Sequence, residues 1–244
     1  MKQHHTLHCL IRGLICMLLL SISANAQNDS IISTPKDSVK VKLKYGLRVG
    51  GDISKLVRSF AEKDEYTGFE ISADYRIKKR LYIAGEIGTE EKNTVNEVLD
   101  ITTKGSYLKA GIDYNLYQNW LDMDNMIYSG FRIGASTFSH DLNSFNVYST
   151  NQYWVTQFSS NEKQEFKDLT AFWVEFILGI KAELLNNLYL GLNVQLKMIA
   201  SETVPDNFGN VYIPGFNKTF DSNGVGVGYS YTLSYRIPLY KKDK

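Results

Sequence analysis

Residues Leu188–Met198 have the sequence LYLGLNVQLKM, in which every second side chain is aliphatic or Met. Leu, Val and Met occupy the even positions, whereas Tyr, Gly, Asn, Gln and Lys occupy the odd ones. Side chains on one face of a β-strand recur every two residues, and a helix would mix the two sets. The run is 11 residues long, which matches a tilted membrane-spanning strand. The stretch therefore predicts a long strand with one apolar and one polar face.

The same alternation recurs in seven further segments of the chain. They are roughly Tyr45–Leu56, Gly68–Ile77, Leu81–Thr89, Ser106–Leu116, Ile127–Phe138, Phe172–Glu183 and Val225–Ile237. We therefore predict eight strands. Phe145–Ser149 and Gln152–Phe158 flank a Thr-Asn pair as a hairpin would, so ten strands are the alternative, although these arms are too short to cross a bilayer.

Short and long polar connections alternate between these segments. The short ones are 78–80, 117–125 and 185–187, and the long ones are predicted at 59–67, 90–105, 139–168 and 201–223. This arrangement is typical of outer-membrane barrels, whose turns face the periplasm and whose loops face the exterior. The predicted fold is all-β: a single antiparallel up-and-down transmembrane β-barrel with short periplasmic turns and long extracellular loops.

Glycine distribution indicates which face of the barrel points inward. The polar faces of the predicted strands carry ten glycines among large charged residues, for example Gly134, Gly179 and Gly191. A crowded barrel interior needs such small residues, whereas a water-facing surface gains nothing from them. We therefore expect the polar face inside and the apolar face outside, with tyrosines such as Tyr45 and Tyr229 on the outside. A soluble periplasmic barrel with an apolar interior is the alternative fold.

The predicted interior carries seven basic and seven acidic side chains. They are Arg48, Asp52, Glu70, Asp74, Arg76, Glu86, Lys109, Asp113, Arg132, Glu175, Lys181, Glu183, Lys197 and Arg236. An unpaired buried charge is heavily penalised, so equal numbers predict ion pairs that fill the lumen. We expect these residues to have a structural role and to leave no wide aqueous pore.

The N-terminal residues have the pattern of a secretory signal peptide. Lys2 and Arg12 precede an apolar run, and Ala24-Asn25-Ala26 offers the small residues at which such peptides are cleaved. A retained helical anchor is the alternative. We predict a signal peptide at 1–26, a flexible linker at 27–43, the barrel at 44–240 and a charged tail at 241–244. Localisation to the outer membrane after cleavage near Ala26 follows from this assignment.

Catalytic and cofactor motifs are weak. Cleavage near Ala26 would remove both cysteines and three of the four histidines, which leaves His140. We interpret His140 as a solvated loop histidine, with a His140-based hydrolase as the alternative. We expect no metal, because one histidine without cysteine is a poor zinc set, and 122–125 lacks the glycine and distal glutamate of a calcium loop. No cofactor motif is found, and the formal net charge of +1 does not favour nucleic-acid binding.

The predicted linker contains two candidate modification sites. Asp29-Ser30-Ile31 and Asp37-Ser38-Val39 resemble the Asp-Ser/Thr-apolar acceptor for periplasmic O-glycosylation in Bacteroidota. An exposed, secreted linker would be accessible to the transferase. Ser30 and Ser38 are therefore predicted O-glycosylation sites.

Three stretches together resemble an uncharacterised family of secreted Bacteroidota proteins that are placed among outer-membrane β-barrels. They are Gly68–Tyr75 (GFEISADY), Lys104–Tyr114 (KGSYLKAGIDY) and Tyr212–Asn217 (YIPGFN). The resemblance implies the fold and the location, and no catalytic residue, since the family has no assigned activity. In one departure from the general barrel pattern, the final aromatic residue, Tyr240, is followed by four charged residues.

We therefore expect a small, closed outer-membrane barrel with a structural or surface-interaction role through its loops, above all Ser139–Asp168. A narrow solute channel and a barrel enzyme acting on lipid or peptide are the alternatives. The expected partners are outer-membrane lipid, the barrel-assembly machinery during biogenesis and an unknown extracellular ligand or protein at the loops. The barrel is expected to be a monomer.

Overall fold

The computed structural model describes residues 42–117, 124–147, 158–160, 163–205, 209–217 and 224–243. Within these ranges the chain forms nine strands and one helix. These are β1 (Lys42–Asp52), α1 (Ile53–Ala61), β2 (Tyr66–Arg76), β3 (Leu81–Val95), β4 (Leu99–Asn115), β5 (Met126–Val147), β6 (Phe158–Ser160), β7 (Gln164–Leu185), β8 (Leu188–Glu202) and β9 (Val225–Asp243). None of the helical residues described is part of a helix long and apolar enough to cross a membrane.

Eight of the strands form a closed antiparallel ring. The order is β4-β3-β2-β1-β9-β8-β7-β5, and β5 also pairs with β4, which closes the ring. The predicted eight-stranded up-and-down barrel is thus confirmed. The ten-stranded alternative is wrong, because the additional strand β6 has only three residues and pairs with the end of β5 outside the ring.

The two faces of the strands differ in exposure as their alternation predicts. In β8, Tyr189 and Lys197 are buried in the lumen, whereas Leu192, Val194 and Leu196 are exposed on the outside. Interior glycines make room for large neighbours: a Cβ atom on Gly134 would lie 2.2 Å from the Trp173 ring, and one on Gly88 would lie 2.3 Å from the Tyr107 hydroxyl. The lumen is therefore packed with polar and aromatic side chains.

The ring has two different ends. The turn end carries the connections 77–80, 116–125 and 186–187, and the loop end carries α1 together with the connections 96–98, 148–163 and 203–224. Three of the predicted long loops are wrong in extent. Backbone pairing continues through most of 90–105, since β3 runs to Val95 and β4 starts at Leu99. Similarly, β5 continues to Val147 and β7 starts at Gln164 within the predicted loop 139–168.

The third difference is helix α1, which the sequence interpretation missed. Tyr45–Leu56 was expected to be one strand and 59–67 a loop, whereas β1 ends at Asp52 and α1 follows. Asp52 supplies the reason, because its carboxylate accepts a hydrogen bond from the Ser54 backbone N–H at 2.8 Å and caps the helix. Asp52 is therefore a capping residue at the loop end of the lumen.

Residues near the termini also differ from expectation. A β-bulge lies between Tyr45 and Gly46, so both are buried, and Tyr45 is not on the outer face as its position in the alternation suggested. β9 extends to Asp243 and pairs with β1 from Lys42 onward, so the strands include residues that we expected in the linker and the tail. The predicted signal peptide, Ser30 and Ser38 lie outside the described residues.

Candidate functional site

The lumen brings the fourteen predicted charged residues together. Eleven of them are buried, and Glu86, Lys181 and Glu183 are somewhat more exposed. They form ion pairs in layers from the turn end to the loop end, with the exception of Asp52, which caps α1 as described above. Four further charged residues that were not predicted to be in the lumen, Lys44, Lys55, Glu90 and Asp124, take part in these pairs.

Asp124 organises the layer at the turn end. Its carboxylate pairs with Arg236 and lies 2.7 Å from Arg76 Nη2. Glu183 lies beside it and pairs with Arg236 and with Lys44, at 3.3 Å in both cases. The sequence places Asp124 in the short connection 117–125, without the features of a calcium loop, and no alternation marks a turn residue whose side chain folds back under the lumen.

The middle layer contains two carboxylates with two cations each. Asp74 accepts hydrogen bonds from Arg48 Nε and Lys181 Nζ, both at 2.7 Å. Asp113 lies 2.8 Å from Arg132 Nη1 and 3.8 Å from Lys181 Nζ. None of these side chains is more than 11% exposed. Their mutual pairing offsets the cost of removing the charges from water.

The third layer is centred on Lys109. Its ammonium donates to Glu86 at 2.7 Å and lies 3.3 Å from Glu70 and 3.9 Å from Glu175. Glu175 in turn accepts a hydrogen bond from Trp173 Nε1 at 2.7 Å and lies 3.7 Å from Lys197 Nζ. The layer alternates in charge across the lumen and joins five strands, β2, β3, β4, β7 and β8.

The connection 209–217 folds into the loop end of the lumen and forms a plug around Glu90. The Tyr212 hydroxyl donates to the Glu90 carboxylate at 2.6 Å, and the Gly215 backbone N–H donates to it at 2.9 Å. Lys55 from α1 forms an ion pair with the same carboxylate. Lys197 Nζ donates to the Gly215 carbonyl at 2.7 Å. Glu90 thus joins the plug, the helix and strand β3.

Apolar contacts complete this plug, which consists of residues 209–217. Ile213 and Phe216 are fully buried and pack with Tyr107 and Trp173. Gly215 has a φ of +81°, and a Cβ atom there would lie 2.5 Å from the Tyr107 ring, so this position requires glycine. The sequence YIPGFN contributes to the family resemblance, but it has no periodicity that would indicate its position inside the barrel.

Lys55 of α1 and Tyr212 of the plug, which both contact Glu90, have shifted pKa values. Burial acts to lower the pKa of Lys55, but the carboxylates of Glu90 and Glu70 outweigh it and raise that pKa above its usual value. Burial, together with the Glu90 charge, raises the pKa of the Tyr212 hydroxyl well above its usual value. Lys55 is therefore charged and Tyr212 neutral at neutral pH, as their contacts with Glu90 require.

Little space remains among the side chains of the middle layer. A central cavity lined by residues such as Arg48, Asp74 and Tyr128 has a volume of about 20 Å³, which is room for about one water molecule. At the loop end, the plug of residues 209–217 packs against the lumen side chains Tyr107 and Trp173.

His140 is a buried side chain of β5, so its interpretation as a solvated loop histidine is wrong. Its Nδ1 lies 2.7 Å from the Thr103 hydroxyl and its Nε2 lies 3.1 Å from Asn210 Oδ1. With the asparagine oxygen as acceptor, Nε2 carries the proton and the threonine hydroxyl donates to Nδ1. The histidine thereby attaches the first residues of the plug to the barrel wall. Within the ranges described above, no group of three His, Cys, Asp or Glu side chains is arranged to hold a metal ion.

The loop end is uneven in height because β5 and β7 have 22 residues each and β1 has 11. Strands β3, β4, β5 and β7 continue beyond the start of β2 and form a projecting wall, residues 93–102, 141–147 and 164–165. Below this wall, Phe166 of β7 packs against the buried cluster that contains Tyr107, Phe138, Trp173 and Phe216.

Comparison with known families gives one decisive match. The family described as "Domain of unknown function (DUF6048)" matches residues 6–242 of the chain. The chain belongs to this family. Membership agrees with the expected resemblance to an uncharacterised family, and the description assigns no activity to it.

Two solved structures are similar to the chain at low sequence identity. Neisserial surface protein A is 12% identical, with a TM-score of 0.43, and the alignment covers 79% of this chain and 96% of that protein. Ail, the attachment invasion locus protein of Yersinia pestis, is 8% identical, with a TM-score of 0.39, and the alignment covers 79% of this chain and 97% of that protein. No curated protein matches the chain.

Proposed function

We propose that this member of the DUF6048 family is a small, closed outer-membrane β-barrel that acts without catalysis, through contacts at its loop end. The observation that carries this proposal is the outer surface of the ring. Leu, Ile, Val, Phe and Tyr side chains are exposed there on all eight strands, including Ile87, Leu108 and Ile133. A soluble protein does not leave so large an apolar surface in water.

The location of the charges supports the same proposal. An Arg or Lys side chain facing lipid at the bilayer midplane costs about 2–4 kcal/mol, and the strand residues Arg48, Lys109 and Arg132 are buried inside. A soluble barrel would reverse this distribution. The signal peptide at 1–26, the passage through the barrel-assembly machinery and the monomeric state are parts of this proposal.

The packed lumen favours a contact function over a channel. The central cavity of about 20 Å³ has room for about one water molecule. Glu90 binds the plug of residues 209–217 through the Tyr212 hydroxyl and the Gly215 backbone N–H, and it also pairs with Lys55 of α1. We infer that the projecting wall above the rim is the surface that meets an extracellular ligand or protein.

Envelope fractionation, followed by electrophoresis of boiled and unboiled samples, tests the membrane assignment. We expect the protein in the outer-membrane fraction, with a different mobility before and after boiling. Solubility without detergent and a single mobility would refute it. In planar bilayers, the purified barrel should show no stepwise conductance; steady single-channel steps would refute the closed lumen and favour a narrow channel.

A further inference from the structure

Helix α1 occupies a gap in the wall of the barrel at the loop end. The pairing of β1 ends at Gly51 opposite Ile71 of β2, and at Asp52 opposite Thr232 of β9. Beyond these pairs β2 extends to Tyr66 and β9 to Val225, without β1 between them. α1 contacts both strands and takes the place of the missing part of β1.

Polar side chains on one side of α1 fix its rotation about its axis. Lys55 points inward and pairs with Glu90 and, at 3.8 Å, with Glu70. The Gly68 backbone N–H donates to Ser59 Oγ at 2.8 Å, and Arg58 lies over the Tyr66 ring at 4.0 Å. In a bilayer, an unpaired strand edge must find such partners, so the helix satisfies part of the open edge of β2.

The opposite side of α1 is apolar and uncovered. Leu56 is 37% exposed, Val57 59% and Phe60 74%. None of the nine helical residues is buried, so this face contributes nothing to the core. Because the inward contacts hold the helix in place, the three apolar side chains face away from the lumen, on the same side as the outer face of the strands.

A groove runs between α1 and the outer face of β2, β3 and β4. It has a volume of about 670 Å³, within the range of roughly 300–1,000 Å³ for small-molecule sites. Leu56, Phe60 and Phe69 form its apolar part. Thr89, Glu91, Lys104 and Ser106 form its polar part, in which Lys104 and Glu91 lie 3.4 Å apart.

We propose that this groove binds an acyl chain of an outer-leaflet membrane lipid, with α1 at the boundary between chains and headgroups. The groove is continuous with the apolar outer face, where Phe69 and Ile71 of β2 and Ile87 of β3 are exposed. Its apolar and polar parts match the two parts of a lipid, and amphipathic helices bind membranes at this depth. The inference rests on the outer-membrane assignment proposed above.

Fluorescence quenching by brominated phosphatidylcholine in vesicles tests the proposal. A tryptophan is introduced by Phe60→Trp, and the signal of the parent protein, which has three tryptophans, is subtracted. Ile87→Trp, 58% exposed on the outer face of β3, is the membrane control, and Val95→Trp, 64% exposed at the tip of the β3–β4 hairpin, is the aqueous control. We expect F60W to lose as large a fraction of its emission as I87W, and V95W to lose little.

Bromines at different depths of the acyl chain refine the test. F60W should be quenched most by bromines nearest the headgroup, and I87W by deeper ones. Quenching of I87W without F60W would overturn the groove proposal and leave the membrane assignment intact; absence of quenching in both would refute the membrane assignment. Protection of F60W from both brominated lipid and aqueous iodide would mean that protein covers the helix, and would also overturn the proposal.

Lipid retention provides a second measurement that does not depend on tryptophan. The double variant Leu56→Ser/Phe60→Ser leaves the inward contacts of Lys55 and Ser59 unchanged. In native mass spectrometry after gentle delipidation, we expect it to retain fewer phospholipid molecules than the wild type, while Val95→Ser retains the same number. Equal retention by all three proteins would contradict binding in the groove.

Discussion

Removal of one member of a buried ion pair should strongly destabilise the barrel. Arg132 Nη1 and Asp113 Oδ1 lie 2.8 Å apart, and the two side chains are 3% and 0% exposed. Arg132→Met would leave the Asp113 carboxylate without its nearest cation in a packed lumen. Such a change costs about 3–5 kcal/mol, which corresponds to roughly two to four orders of magnitude in the unfolding equilibrium.

The double variant Arg132→Met/Asp113→Leu removes both members of the ion pair. It therefore distinguishes loss of the ion pair from the cost of an unpaired buried charge. Replacement of a buried pair by apolar residues of similar volume is often neutral or stabilising, so the double variant should regain most of the loss. Lys181, which lies 3.8 Å from Asp113, retains Asp74 at 2.7 Å as its partner. Guanidinium unfolding in lipid vesicles, followed by tryptophan fluorescence, gives the free energies for this cycle.

An exposed ion pair provides the matched control. Lys104 and Glu91 lie 3.4 Å apart, and each is 51% exposed, so Lys104→Met should cost less than about 1 kcal/mol. A structural role for the buried pair is contradicted if Arg132→Met costs as little stability as Lys104→Met, or if Arg132→Met/Asp113→Leu is no more stable than Arg132→Met alone.

Three further predictions concern a glycine in the lumen, His140 and the two serines of the predicted linker. Gly134→Val places a Cβ atom 2.2 Å from the buried Trp173 ring and should cost at least about 1–3 kcal/mol of folding free energy in the same denaturation assay. The control variant Gly85→Ala, whose Cβ atom would lie 3.4 Å from its nearest neighbour, should be as stable as the wild type. His140→Ala removes the hydrogen bonds to the buried Thr103 hydroxyl and to Asn210 Oδ1 and should cost about 1–3 kcal/mol of stability with no other effect on the envelope. Loss of an enzymatic activity by a stably folded variant would contradict this. The intact mass of the secreted protein should exceed that of the bare chain, and Ser30→Ala/Ser38→Ala should abolish the excess; an unmodified wild-type mass would end the glycosylation hypothesis.

The architecture of the ring could be predicted because a period of two is a strong signal over 11 or more residues. The assignment of the polar face to the interior followed from the glycines, and the close approach of Gly134 to Trp173 shows the packing on which that argument depends. The tight turns at 78–80 and 185–187 were also identified by their polar residues. In these segments local sequence and tertiary packing favour the same structure.

The loop end could not be predicted because tertiary contacts determine it. The alternation weakens after Thr89, and the strands continue there because β3 and β4 pair with each other beyond the rim. Helix α1 depends on the Asp52 cap and on an ion pair with Glu90, 35 residues away from Lys55. The burial of His140 likewise depends on Asn210, from a distant connection. Contacts between separate loops have no periodicity that a single sequence could reveal.

The alternation in Leu188–Met198 allows the lipid-facing outer surface and the closed lumen to be tested together. Single cysteines at Val194 and Gln195, labelled with nitroxide in lipid vesicles, can be compared by their collision rates with oxygen, which partitions into lipid, and with a water-soluble nickel chelate. Val194 is 58% exposed and Gln195 is 7% exposed, so we predict that oxygen reaches position 194 and that neither reagent readily reaches position 195. Free access of the nickel chelate to position 195 would contradict a closed lumen, and greater access of the nickel chelate than of oxygen to position 194 would contradict a lipid-facing outer surface.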